Sequence, residues 1–283
     1  MKIAITAEST VDLPKELLEK YDIKTVPFSI LLGDDMMDDG DGIAEKIFKY
    51  VGETKTLPKT SAINDEQYKE FFDGVLKEYD GVIHISLSSE LSSACQNAKR
   101  TAQEYSNVRV VDSQSLSTGI ALLAIYARQL ADAGLDIDEI QKKVEERVPY
   151  VQASFILKRL DYLFKGGRCS RLQLFGANLL KLRLQILVEN GKMGPANKFR
   201  GAMDNCIMQY CKETLEKFNN PDKDVVFITY SSADEAVIEK IRVMLSERGF
   251  KNIYATRASG TITSHCGEDC LGILYINDGG NNI

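Results

Sequence analysis

Four serines, Ser88, Ser89, Ser92 and Ser93, crowd into six residues between the apolar run Val82 to Leu87 and the helical pattern Leu91 to Glu104. A strand end followed by a helix start is where α/β proteins bind ligands. The first helical turn offers unpaired N–H groups and the positive end of the dipole. Hydroxyls there add donors without charge, which suits a carboxylate or a phosphate. A helix cap accounts for one such serine, and four exceed what a cap needs. A second cluster, Pro58-Lys59-Thr60-Ser61, precedes the amphipathic run Asp65 to Leu76, with Thr60 or Ser61 as its expected cap. In a third, Gly166-Gly167-Arg168-Cys169-Ser170-Arg171, glycine lets backbone approach a ligand and arginine can pair with an anion. The fourth is His265-Cys266-Gly267, read as a loop before the apolar run Leu271 to Ile276. Its histidine and His84 are the two in the chain.

The elements that must hold these clusters alternate. Strands are expected at Ile3–Thr6, Val82–Leu87, Arg109–Val111, Ala153–Leu157, Arg183–Glu189, Val225–Tyr230, Asn252–Ala255 and Leu271–Ile276. Helices are expected at Pro14–Tyr21, Glu66–Tyr79, Leu91–Glu104, Thr118–Ala133, Ile137–Val148, Gly176–Leu180, Ala202–Phe218 and Ala233–Arg248. Pro14 suits a first turn, where its missing N–H costs nothing, and Asp12 is placed to cap it. Asn190-Gly191 after Arg183–Glu189 is a hairpin signal. Early alternation predicts a parallel-sheet α/β domain over residues 1–150; the later hairpin predicts a mixed α/β domain over 151–283. The boundary is expected near Pro149 to Ala153.

Composition bounds the function. The 283 residues can bury a large core, and 44% hydrophobic with 27% charged residues is ordinary for a globular protein. The net charge of −6 and the lack of a Lys/Arg tract argue against nucleic-acid binding. The longest apolar stretch, near Ile120 to Tyr126, is too short to span a bilayer. The first residues lack the features of a secretory signal, so a cytoplasmic location is expected, with the six cysteines reduced. His265, Cys266 and Cys270 offer three zinc ligands, but no Cys-x-x-Cys pair occurs and no metal is expected. The phosphate loop, the dinucleotide fingerprint and the Gly-x-Ser-x-Gly elbow are all missing. A triad of Ser92, His265 and Asp112 leaves a serine esterase or acyl-transfer enzyme open as the alternative.

Six segments in order resemble the DegV family of fatty-acid-binding proteins. They are Ala7-Glu8-Ser9-Thr10-Val11-Asp12-Leu13-Pro14, Pro58 to Ser61, Ile85 to Ser92, Val110-Val111-Asp112-Ser113 with Ser117 and Gly119, Leu160 to Arg168, and His265-Cys266-Gly267. Departures are Ala7 and Glu8 for an opening Thr-Asp, Ser93-Ala94 for Gly-Thr, Arg183-Leu184 for Lys-Pro, and Glu268-Asp269 for Pro-Gly. The resemblance implies a two-domain DegV-like fold, with a Rossmann-like parallel sheet first and the acyl chain buried in the second domain. It implies a bound long-chain fatty acid such as palmitate or oleate and no other cofactor. Thr60 and Ser92 would bond the carboxylate, Ser61 and Ser93 would share this work, and Arg168 and His265 would lie by the head group. Arg171 would face a partner. That partner would be the ATP-binding subunit of a fatty acid kinase, this chain being its lipid-binding rather than enzymatic component and the product feeding phospholipid synthesis. Transient membrane contact is also implied. The extra charges of Glu268 and Asp269 are expected to raise the pKa of His265. Candidate tunnel residues are Phe155, Ile156, Leu157, Phe175, Leu179, Leu182, Leu184 and Ile186.

Overall fold

The computed structural model describes residues 1–169 and 183–280. Strands β1 (Ile3–Glu8), β2 (Ile23–Val26), β6 (Gly81–Ser86) and β7 (Val108–Asp112) form a parallel sheet in the order β2-β1-β6-β7. Both β1 and β6 are buried along their whole length, as strands of a covered parallel sheet must be. Strands β8 (Val151–Leu157), β9 (Arg183–Glu189), β10 (Lys192–Phe199), β11 (Val225–Tyr230), β12 (Asn252–Arg257) and β13 (Cys270–Ile276) form a mixed sheet, order β10-β9-β8-β13-β11-β12. Every pair in it is antiparallel except β11 with β12. Asn190 and Gly191 both take positive φ between β9 and β10, as a type I′ hairpin requires.

Alternation along β13 feeds two cores. Leu271, Ile273 and Tyr275 join a cluster with helices α8 (Met203–Lys217) and α9 (Glu235–Glu247), whereas Cys270, Leu274 and Ile276 join the main cluster. The main cluster takes residues from both sheets. Between them runs α5 (Thr118–Asp132), which packs on β1 and β6 and on β8, β11 and β13. Residues Thr118 to Ala127 are all buried, and a helix apolar all round belongs in such a place.

A third sheet was not foreseen from the sequence. Strands β3 (Ser29–Leu32), β4 (Asp35–Asp38) and β5 (Lys59–Ser61) pair antiparallel in the order β4-β3-β5, beside helix α2 (Ile43–Thr54). The remaining helices are α1 (Lys15–Lys20), α3 (Asp65–Val75), α4 (Ala94–Ala102), α6 (Ile137–Arg147), α7 (Asp161–Lys165) and α10 (Gly260–Cys266). Two expected caps are elsewhere. Asn64, not Thr60 or Ser61, caps α3, in a capping box with Gln67. Asp12 does not cap α1; its buried carboxylate turns to Ser117 and Ser259. The helix expected at Gly176–Leu180 lies outside the described residues, as do Phe175, Leu179 and Leu182. No helix among the described residues is long and apolar enough to cross a membrane.

Candidate functional site

One cavity of about 290 Å³ is lined by Thr60, Ser61, Ser92, Ser93, Arg168 and His265 together. Its apolar wall includes Phe28, Leu87, Leu116, Phe155, Leu163 and Leu274. Of the candidate tunnel residues, Phe155 lines this cavity. Ile156 faces the second core instead, while Leu157, Leu184 and Ile186 are packed in the main core.

Each polar group arrives on a different support. Thr60 sits on β5, opposite Ile30 of β3. His265 is not in a loop: it lies in the last turn of α10, and its Nε2 is 3.0 Å from Thr60 Oγ1. The α10 sequence Gly260-Thr261-Ile262-Thr263-Ser264-His265-Cys266 is a poor helix former, rich in β-branched residues. Carboxylates hold its start. Asp39 accepts from the N–H groups of Gly260 (2.8 Å) and Thr261 (3.0 Å), and Asp12 accepts from Ser259 N–H (2.9 Å). Asp12 also receives Ser117 Oγ–H at 2.5 Å, from a serine whose φ of 55° is strained for any residue but glycine. Burial, only partly offset by these hydrogen bonds, pushes Asp12 up to about 7.

The serine loop divides its labour. Ser88 is fully buried and donates to Gly191 O at 2.9 Å, tying the loop to the β9–β10 turn. A Cβ on Gly191 would stand 2.6 Å from that hydroxyl. Glu8, at the end of β1, fixes the loop's root. Its carboxylate accepts from Leu87 N–H (2.9 Å), Ser86 Oγ (2.5 Å) and Tyr68 OH (2.8 Å), and lies 3.2 Å from His84 Nε2. Burial alone would raise the Glu8 pKa; His84 and these hydrogen bonds bring it below its ordinary value. Ser92 Oγ accepts Ala94 N–H at 3.2 Å, which leaves its own hydrogen free.

The two glycines before Arg168 do different things. A Cβ on Gly166 would meet His265 Nδ1 at 2.6 Å, so this position must be bare for the ring to fit. Gly167 has open space but a φ of +72°, which glycine adopts without strain. Arg168 is exposed at the rim, with Nη1 2.7 Å from Gly166 O and Nε 3.4 Å from Leu91 O.

His265 is held neutral. Burial and then the Arg168 charge lower its pKa to about 4. The expected rise from Glu268 and Asp269 does not occur. Asp269 pairs with Lys158 at 2.5 Å and with Ser232, turned to the β8 and β11 ends. His265 Nδ1 is buried with no partner among the described residues. A bare acceptor costs less to bury than an orphaned N–H, so the proton belongs on Nε2, donating to Thr60. The triad alternative fails on this geometry. Asp112 accepts the N–H groups of Ser89 and Gln114, and His265 bonds Thr60. No group of three or more His, Cys, Asp or Glu among the described residues could hold a metal ion. The partner-facing expectation for Arg171 lies outside the described residues.

The family model described as "Uncharacterised protein, DegV family" matches residues 2–278. The chain belongs to the DegV family. It is 32% identical over 282 residues to a protein from Thermotoga maritima named fatty acid-binding protein, with 96% of each chain covered. Among solved DegV structures, one from Thermus thermophilus, described by its fatty acid binding, superposes with a TM-score of 0.87 at 25% identity, covering 98% of this chain and all of that one. A second, from Thermotoga maritima and described as revealing fatty acid binding function, has a TM-score of 0.84 at 28% identity, covering 98% and 99%. The mixed α/β architecture is therefore that of DegV proteins. The segments that carried the family resemblance now have physical roles: Asp12 and Ser117 brace α10, Gly166 admits the His265 ring, and Thr60 accepts a hydrogen bond from that ring.

Sequence reasoning missed Asp39 and Thr261 as neighbours of the site, and named Ser117 only as part of a family segment without a role. Asp39 left no signal, since it reaches α10 across 221 residues. Thr261 and Ile262 become wall residues only once α10 is seen to be a helix with His265 one turn on.

Proposed function

We propose that this protein binds one long-chain fatty acid and presents its carboxylate to a separate ATP-binding kinase subunit, which makes the acyl phosphate for phospholipid synthesis in the cytoplasm. The observation that carries the reading is the single cavity in which an apolar wall meets Thr60, Ser61, Ser92, Ser93, Arg168 and His265. The relatives named for fatty acid binding support it. With His265 Nε2–H donating to Thr60, the Thr60 hydrogen is free for a carboxylate oxygen, as is that of Ser92. Arg168, exposed at the rim, is the cation for phosphate oxygens, through the paired donors of its guanidinium.

Magnitudes divide the roles. A chain of about sixteen carbons buries about fourteen methylenes at roughly 0.8 kcal/mol each, or about 11 kcal/mol gross. Immobilising protein and ligand offsets several kcal/mol of this. A hydroxyl-to-carboxylate bond contributes about 1.5–3 kcal/mol. The apolar wall sets affinity, and Thr60 and Ser92 set position. The test is organic extraction of the purified protein followed by mass spectrometry. One long-chain acid per chain is expected, with a lower melting temperature after delipidation. Empty protein whose melting does not respond to palmitate or oleate would refute the reading.

A further inference from the structure

Thr261 lines the acyl cavity, is 4% exposed, and its hydroxyl has no hydrogen-bond partner among the described residues. Its neighbours on the same short helix are all engaged. Ser259 Oγ accepts Ile262 N–H, Thr263 donates to Ala258 O, and Ser264 donates to Gly260 O. A buried hydroxyl left idle is costly, and such groups are rare unless something else pairs with them. A helical threonine populates two χ1 wells that exchange hydroxyl and methyl, so this wall position can turn its oxygen toward a ligand. Placement says which part of the ligand. Thr261 and His265 are four residues apart in α10, hence on one face and about 5–6 Å apart at Cβ. His265 bonds Thr60 at the head-group end, so on the fatty-acid reading Thr261, one helical turn from His265, is the wall hydroxyl next to the head-group residues.

We propose that Thr261 is a specificity-determining residue that favours fatty acids carrying a hydroxyl near the carboxyl end, of the 3-hydroxy type. The inference rests on the fatty-acid reading above. A ligand hydroxyl both donates and accepts, so it satisfies Thr261 whichever way that side chain points its hydrogen. A plain chain leaves the threonine unpaired.

The test uses delipidated full-length protein and equilibrium Kd values for stearate, 3-hydroxystearate and 12-hydroxystearate. The parent should bind 3-hydroxystearate about fivefold more tightly than stearate, the size of one net buried hydrogen bond. It should bind 12-hydroxystearate no more tightly than stearate. Thr261→Val should abolish the 3-hydroxy advantage, bringing the ratio of the stearate and 3-hydroxystearate Kd values to about one. Should the valine variant not fold, Thr261→Ala must lose the advantage and Thr261→Ser must keep it. A parent with no 3-hydroxy preference, or a preference that survives in Thr261→Val or Thr261→Ala, overturns the assignment and leaves fatty acid binding standing. Failure of all three acids to bind removes the reading on which it rests.

Discussion

Gly166→Ala sets two effects of opposite sign against each other. The backbone there has φ −67° and ψ −15°, which alanine adopts without strain. On that account alone the substitution would stabilise the protein by about 0.4–1 kcal/mol, by narrowing the unfolded ensemble. Packing opposes it. The new methyl would lie 2.6 Å from His265 Nδ1 and 3.0 Å from Tyr162 O, the first a distance that real Cβ atoms do not show. The ring cannot give easily, because its other nitrogen is bonded to Thr60. Overpacking of this kind costs about 1–3 kcal/mol, so a net loss of about 1–2 kcal/mol is expected. In a chain of this size that lowers the melting temperature by roughly 2–4 °C. The assay is denaturant unfolding of delipidated protein in a double-mutant cycle with His265→Ala. With the ring gone, Gly166→Ala should turn neutral or stabilising. If it were equally destabilising in the His265→Ala background, the clash with the ring would not be what keeps this position bare.

Two further predictions follow from the same contacts. Ser92→Ala should lower stability by no more than about 1 kcal/mol, the worth of the oxygen that accepts Ala94 N–H, yet weaken fatty acid binding by about 1–3 kcal/mol through the lost donor; calorimetry showing parent-like affinity would reduce Ser92 to a cap. Asp12→Asn should change how stability depends on pH. The Asp12 pKa of about 7 in the fold against an ordinary 3.8 means that the folded state holds its proton longer. The stabilisation is complete below about pH 4 and is lost as pH rises through 7, by at most about 4 kcal/mol. The neutral variant lacks this loss, so its stability should gain on the parent's between pH 4 and 7. His265, lowered to about 4, works in the other direction over nearly the same window. The difference between variant and parent cancels that contribution, and a pH-independent difference would refute the role given to Asp12.

How much of this was legible depends on how locally each element is determined. The strands at Val82, Arg183 and Val225 are runs of apolar residues whose neighbours in sequence already mark their ends, and β9 and β11 fall on the expected residues. The helix α5 is apolar on every face and could hardly be anything but buried. The small sheet of β3, β4 and β5 was hidden because its strands have three or four residues and β4 is half acidic. No periodicity can be read over so few positions. Helix α2 did carry a signal, with Ile43, Ala44, Ile47 and Val51 buried on one face, yet it was not among the expected helices. Helix α10 carried none. Its residues disfavour a helix, and the carboxylates that start it come from Asp12 and Asp39, far away in the chain.

A wall residue such as Phe155 is placed by its own strand, with six of the seven β8 residues buried. The polar groups are placed otherwise. Thr60 rides on a three-residue strand, Ser92 on a loop rooted by Glu8 and Ser88, and His265 on a helix of poor intrinsic propensity. Each is held in part by hydrogen bonds to residues distant in sequence. Such bonds fix direction, whereas apolar packing fixes little beyond volume. Loss of one of them, at Asp39 or Ser88, therefore displaces a donor without emptying the core. Under the proposed function, affinity for the acyl chain and orientation of its head group would rest on separate parts of the fold, and each could be altered without the other.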